Sequence, residues 1–169
     1  VLPIKSMEKH YGGPVIGTHP LFGPRSLDYK KICLCLGSYF KTMDTEKQKI
    51  KDTVYELFKQ IGCEPFYAKA EEHDKAMAAL QGLNFVTNVA YFAMTANMPE
   101  IKEFLTPSFM RRLEAGRASI QEDGTLFTGI FEANPYSQDI VRQYRSFLNV
   151  AAGGDMDVLV KLAQKWFDK

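Results

Sequence analysis

Three groups of side chains in this sequence have types and spacing suited to chemistry: a histidine in a Pro/Gly-rich segment, a His-Asp pair, and a cluster of arginines. His19 lies in Thr18-His19-Pro20-Leu21-Phe22-Gly23-Pro24, just past a short apolar run. A neutral imidazole there could accept a proton near neutral pH. Pro20 holds His19 extended, and Gly23 lets backbone or ligand approach closely. The plain alternative is a loop histidine bonded to backbone. His73-Asp74 opens a long helical pattern, where the plain reading is a solvated first turn with Asp74 complementing the helix dipole. Arg111, Arg112 and Arg117 fall within one helical stretch, and the guanidinium fork suits bidentate binding of a carboxylate. Gly116, just before Arg117, could leave space for a ligand. His10 precedes Tyr11-Gly12-Gly13 and reads as exposed. Cys33-x-Cys35 places two thiols on one strand face. Zinc needs four ligands at recognisable spacing, so no metal site is expected and the thiols read as buried. The chain has no G-x-G-x-x-G, P-loop or G-x-S-x-G segment, and without the first it shows no site for a dinucleotide pyrophosphate.

The elements that must position these groups change character along the chain. Residues 14–17 and 32–36 are short apolar runs of buried-strand length, separated by the Pro/Gly linker 18–24. A helix follows, capped by Asp44 or Thr45 with Gln48 in a capping-box position. Ile50, Val54, Leu57, Phe58 and Ile61 form its apolar face, and Gly62 sits where a C′ glycine belongs. Pro65–Ala68 then reads as a strand. Strand, helix and strand make a βαβ unit on a parallel sheet, with ligands expected at the carboxyl ends of the strands. Three strands and one helix are too few for a doubly wound sheet, so residues 1–68 read as the back half of an open α/β domain.

Residues 69–169 read as all helix. From Glu71 to about Asn97 apolar residues cover almost every face, so the helix must be buried nearly all round. A region of this size does not supply that cover alone, and an obligate homodimer follows as an expectation. Thr106-Pro107, Asp123-Gly124, Asn134-Pro135 and Gly153-Gly154-Asp155 punctuate the rest. Asn134 is expected as an N-cap with Pro135 at N1. The following helix should turn Ile140, Val141, Tyr144, Phe147 and Leu148 inward. Asp155 should cap the last helix, with Val158, Leu159, Leu162, Trp166 and Phe167 inward.

Composition sets the outer limits. Lys and Arg number 21 against 20 Asp and Glu, and this near balance gives no electrostatic case for nucleic acid or an anionic membrane surface. No run approaches the length of a membrane span. Three cysteines cannot build a disulfide framework, and the odd count fits a reducing, cytoplasmic compartment.

The segment Gly13-Pro14-Val15-Ile16-Gly17-Thr18-His19-Pro20-Leu21-Phe22-Gly23-Pro24 resembles the G-x-H-P-x-x-G-P signature of the prephenate/arogenate dehydrogenase family. Glu72-His73-Asp74, with Met77 and Gln81-Gly82-Leu83, resembles that family's E-H-D segment, which starts a helical dimerisation domain. Thr106-Pro107-Ser108-Phe109 and Gly116-Arg117 to Asp123 resemble a looser third segment. The resemblance spans most of residues 13–130 and keeps motif order. It implies an enzyme of tyrosine biosynthesis that oxidatively decarboxylates prephenate or arogenate with NAD or NADP. It further implies that His19 accepts the ring hydroxyl proton, that Arg117 holds a substrate carboxylate, and that His73 lies near the cleft. Family members often carry a second histidine on the long helix, about where Phe85 stands here. Asn84, Thr87 or Asn88 could supply the missing hydrogen bond. The Arg117-to-Asp123 spacing is one residue longer than the family pattern, which keeps Arg112 and Arg111 as alternatives.

The expected fold is therefore mainly α: a helical dimerisation and substrate-binding domain over 69–169, preceded by the last strands and helix of a Rossmann-like α/β domain over 1–68. In the family a Ser-Val-Lys segment lies roughly where Val1 stands. A chain running from there to Lys169 is expected as a trypsin-type limit fragment or a designed truncation, inactive alone because the glycine-rich loop is absent. The rival class is a non-catalytic helical dimer that binds an aromatic amino acid as a regulatory module.

Overall fold

The computed structural model describes residues 1–23, 28 and 30–168, which form two compact units dividing between Ala76 and Met77. Pro24, the last residue of the first motif, and Lys169 lie outside the described residues.

The first unit is built on a three-stranded sheet of order β1-β2-β3, with β1 at Ile16–Pro20, β2 at Lys31–Leu36 and β3 at Glu64–Ala68. β2 and β3 run parallel, Ile32 beside Pro65 and Cys35 beside Ala68. They are joined by a helix, as the βαβ reading requires. β1 corrects two expectations. It extends through Thr18, His19 and Pro20 rather than ending at Gly17, and it runs antiparallel to β2, pairing Ile16 with Leu36 and Pro20 with Ile32. A proline can close an outer strand because its missing N–H removes no ladder bond from the far side. His19 is thus inside a strand, opposite Cys33. The carboxyl end of β1 lies beside the amino end of β2, so the rule for parallel sheets does not explain where His19 sits.

The central strand carries the core. Ile32, Cys33, Leu34 and Cys35 are all buried, as a strand covered on both faces must be. One face meets a helix that the sequence pattern did not announce, α1 at Leu2–His10. Its apolar residues are too sparse for a readable stripe, and only Ile4 is buried. Ile4 packs with Val15, Cys33 and Cys35, against Ala68 and Ala70. Gly17 makes room for it, since a Cβ there would stand 2.8 Å from Ile4 Cδ1.

The crossover helix α2 spans Thr45–Gln60, and Asp44 is its cap, accepting from the Lys47 N–H. Its end is a Schellman motif: Gly62 has φ +83°, its N–H reaches Lys59 O, and the Cys63 N–H reaches Phe58 O. Its expected buried face is covered only in part: Ile50, Val54 and Phe58 are half-buried, while Leu57 and Ile61 are exposed.

A helix, α3 at Ala70–Met77, follows β3 after one residue. The single helix expected to Asn97 is broken by a π turn at Ala78–Gly82 before α4 at Leu83–Ala96. In the second unit, Ala78, Gly82 and Phe85 are buried, with Phe85 stacked on Phe127. A 3-10 stretch at Pro99–Phe104 leads to α5 at Pro107–Arg117, capped by Thr106 on the Phe109 N–H. A second π turn, Ala118–Glu122, precedes α6 at Gly124–Ala133, α7 at Ser137–Ala152 and α8 at Met156–Gln164. Asn134 Oδ1 does accept from the Tyr136 N–H, as an N-cap would, but the α-helix starts later, at Ser137. Asp155 precedes α8 without a side-chain cap bond.

The apolar faces of the last two helices are only partly inward among the described residues: Ile140, Val141 and Leu159 are half-buried, the rest are open. Tyr144, Phe147 and Leu148 on α7 are exposed, as are Val158 and Leu162 on α8 and Trp166 and Phe167 after it. Leu80, Val89 and Met94 are open as well. These helices have the expected stripes, but among the described residues these side chains stay open. Among the described residues no helix is long and apolar enough to cross a membrane.

Candidate functional site

The first unit assembles a three-residue hydrogen-bonded chain. β1 is held by its ladder to β2, which fixes the backbone of His19. β3 ends at Ala68 and α3 begins at Ala70, so His73 and Asp74 stand in the first turns of that helix. His19 Nδ1 lies 2.8 Å from His73 Nε2, across 54 residues of sequence. The two rings meet nearly edge to face, at 78°. His73 Nδ1 lies 2.9 Å from Asp74 Oδ1. The side chains of His73 and Asp74 are 18% and 13% exposed, so this is not the solvated first turn of the plain reading.

Burial holds the His19 ring below its ordinary histidine pKa, and the neighbouring His73 adds to the effect. A ring so placed is neutral around pH 7 and able to accept a proton. Cys33 and Cys35 lie beside this site with their sulfurs 3.8 Å apart. Burial raises both thiols, Cys35 to about 12, so they are inert as nucleophiles. Among the described residues no group of three His, Cys, Asp or Glu could hold a metal ion.

The other candidates lie in the second unit. Arg117 ends α5, is half exposed, and stands 3.7 Å from Glu114. It lines a largely apolar cavity of about 570 Å³ whose walls include Phe92, Phe109, Leu113 and Ile120, with Lys102 as a second cation. Arg112 belongs to a different hollow of about 380 Å³ and lies over the Tyr91 ring, 3.8 Å from its centre. Arg111 reaches Ser108 Oγ. Asn84 is exposed on α4 and lines neither cavity. Gly116 lines the same cavity as Arg117, and on its Cβ side it packs on Phe92: a Cβ there would stand 2.7 Å from Phe92 Cε2.

The structure therefore brings His19 and His73 together, with Asp74 as the partner that sequence reasoning assigned only to the helix dipole. The adjacency of His73 and Asp74 was the available signal. The π turn that follows Arg117 was likewise unannounced, and such turns often mark functional positions.

No family model matches the chain. A probable arogenate/prephenate dehydrogenase of Methanocaldococcus jannaschii is 25% identical over 177 aligned residues, covering 97% of this chain and 38% of that protein. The T-protein of Enterobacter agglomerans is 25% identical over 150 residues, covering 84% of this chain and 38% of its own length. The chain thus spans under two fifths of these curated relatives. Among solved structures, Synechocystis arogenate dehydrogenase superposes with a TM-score of 0.64 at 19% identity, over 95% of this chain and 61% of that one. Prephenate dehydrogenase from A. aeolicus, in complex with hydroxyphenyl propionate and NAD+, superposes with a TM-score of 0.67 at 20% identity, over 91% and 57%. The likeness to the solved structures is one of fold. Sequence and structure neighbours alike point to prephenate/arogenate dehydrogenases, matched over part of their length.

Proposed function

We propose that this chain is the C-terminal portion of a cytoplasmic dehydrogenase that oxidatively decarboxylates prephenate or arogenate with NAD or NADP, on the route to tyrosine. One observation carries the reading. The two segments that resemble the family's motifs, Gly17-Thr18-His19-Pro20 and Glu72-His73-Asp74, are far apart in sequence, yet their histidines share a 2.8 Å hydrogen bond.

The roles follow from the side chains. Oxidising a ring alcohol requires its hydroxyl proton to leave, and His19 is neutral and able to take it. Arg117 offers a guanidinium at an apolar cavity, suited to an aromatic-sized ring carrying a carboxylate. Residues 1–68 serve as the end of a dinucleotide-binding domain and 69–169 as the dimerisation and substrate-binding domain. The apolar faces of α7 and α8 pack against a second copy. The residues of this chain do not fit the cofactor by themselves. It has no G-x-G-x-x-G loop to cradle a pyrophosphate, so no step through the nicotinamide is assigned to it, and alone it is inactive.

The test uses a longer protein carrying this chain, assayed with both substrates and both cofactors. General-base help is worth about 10²–10⁴ in rate. His19→Asn should lower kcat by that order while leaving cofactor affinity nearly unchanged. A variant that keeps most of its kcat removes His19 from the reaction.

A further inference from the structure

We propose that Asp74 and His73 are positioning residues that fix the tautomer of His19, leaving Nε2 as its proton-accepting atom. The geometry determines each hydrogen in turn. An ionised carboxylate accepts hydrogen bonds and donates none. Asp74 is the acceptor-only end of this chain of bonds. Asp74 Oδ1 then accepts from His73 Nδ1 at 2.9 Å, so that nitrogen carries the ring's hydrogen. A neutral imidazole has one N–H, and His73 Nε2 is therefore a bare lone pair. It lies 2.8 Å from His19 Nδ1, and the hydrogen in that contact must come from His19. With its hydrogen on Nδ1, neutral His19 presents Nε2 unprotonated.

The consequence for a reaction is specific. A proton taken from a substrate hydroxyl goes to Nε2 and makes His19 an imidazolium. Its Nδ1 hydrogen already points at His73 Nε2, and shifting it there leaves His19 neutral and His73 as the imidazolium, bonded to the Asp74 carboxylate. No proton is gained or lost beyond the one accepted. This is the logic of a base oriented by a third group, with one imidazole more in the chain. It also accounts for two partly buried groups, His73 and Asp74, that the proton-accepting role of His19 alone does not require. The catalytic meaning rests on the reading of His19 as the acceptor; the tautomer does not.

The test therefore needs neither substrate nor cofactor. This chain, labelled with ¹⁵N in its histidines, is studied by two-bond ¹H–¹⁵N correlation above the ordinary histidine pKa of about 6.5. His19 and His73 should both carry hydrogen on Nδ1. Asp74→Asn replaces an acceptor-only group with an amide that can donate as well as accept, so both rings should lose their single Nδ1–H form. His73→Phe removes the acceptor, and His19 should lose its single Nδ1–H form. A wild-type His19 with hydrogen on Nε2 overturns the proposal, as does a folded Asp74→Asn or His73→Phe variant whose His19 is unchanged. If Asp74→Asn does not fold, the wild-type spectrum and His73→Phe decide. An Nδ1–H tautomer in this chain, beside an unaffected kcat in His19→Asn of the longer protein, would sink the functional reading and leave this inference standing.

Discussion

His19 is worth more to the fold neutral than charged. Burial lowers its pKa, with His73 adding to the shift. Below the ordinary histidine value of about 6.5, the unfolded chain binds a proton that the folded site resists. Stability should therefore fall as pH drops through that range and return as pH rises. Urea unfolding across this range should show the slope in the wild-type chain and a flatter one in His19→Asn. Equal slopes would mean that the buried ring is not the source. Arg117 carries the second prediction at this scale. A charge-assisted hydrogen bond contributes about 1.5–3 kcal/mol net, so Arg117→Ala in the longer protein should weaken substrate binding roughly 10- to 200-fold. The contact exists before and during reaction, so the loss should appear mainly in KM. Arg117→Lys should recover little, because an ammonium cannot form the fork. Arg112→Ala is the control. Its guanidinium is occupied by the Tyr91 face and lines a separate hollow. An unchanged KM in Arg117→Ala beside a steep rise in Arg112→Ala would move the carboxylate to the other arginine.

Among the elements, the contact of α4 with α5 makes the sharpest demand. Gly116 is buried where the Phe92 ring crosses it. Gly116→Ala puts a methyl 2.7 Å from Phe92 Cε2, closer than carbon atoms approach without something shifting. Overpacking of this kind costs about 1–3 kcal/mol, readable as a lower midpoint in urea with an unchanged slope. Adding Phe92→Leu should return part of it. A neutral Gly116→Ala would show that the two helices can separate freely there. Elements with local signals behave differently. α2 has its Asp44 cap and its Gly62 reversal written within a few residues of each end, and α5 has Thr106-Pro107. Such ends are legible because the bonds that form them join near neighbours. The antiparallel course of β1 is not of that kind. Its partner lies beyond a linker, and the same short apolar run suits either direction.

For the whole molecule, the exposed apolar faces set the expectation. Phe147 and Leu148 on α7 and Val158 and Leu162 on α8 are about half open in one chain. A stable homodimer buries roughly 1,200–2,000 Å² or more, and apolar patches of that kind are seldom left to water. Sedimentation should find this chain as a dimer at micromolar concentration. Leu148→Asp would bury an unpaired charge at the interface and should yield the monomer. A stable, folded wild-type monomer would overturn the homodimer.

The chain's own sequence determined the things that depend on near neighbours and residue chemistry: the caps of α2 and α5, the βαβ crossover, the helical character after Ala70, and the histidines and arginines worth testing. What the tertiary structure decided depends on contacts between distant residues. Ile4 makes a helix of residues too sparse to read as one. Phe92 packs where a side chain at Gly116 would stand. The π turn at Ala78–Gly82 interrupts a pattern that reads as one helix. Above all, the partner of His19 is 54 residues away, and a single chain of hydrogen bonds turns His73 and Asp74 from a helix start into part of the site. Periodicity and capping describe forces that act within a turn or two of helix, whereas burial and hydrogen bonding between β1 and α3 exist only once the chain has folded back on itself.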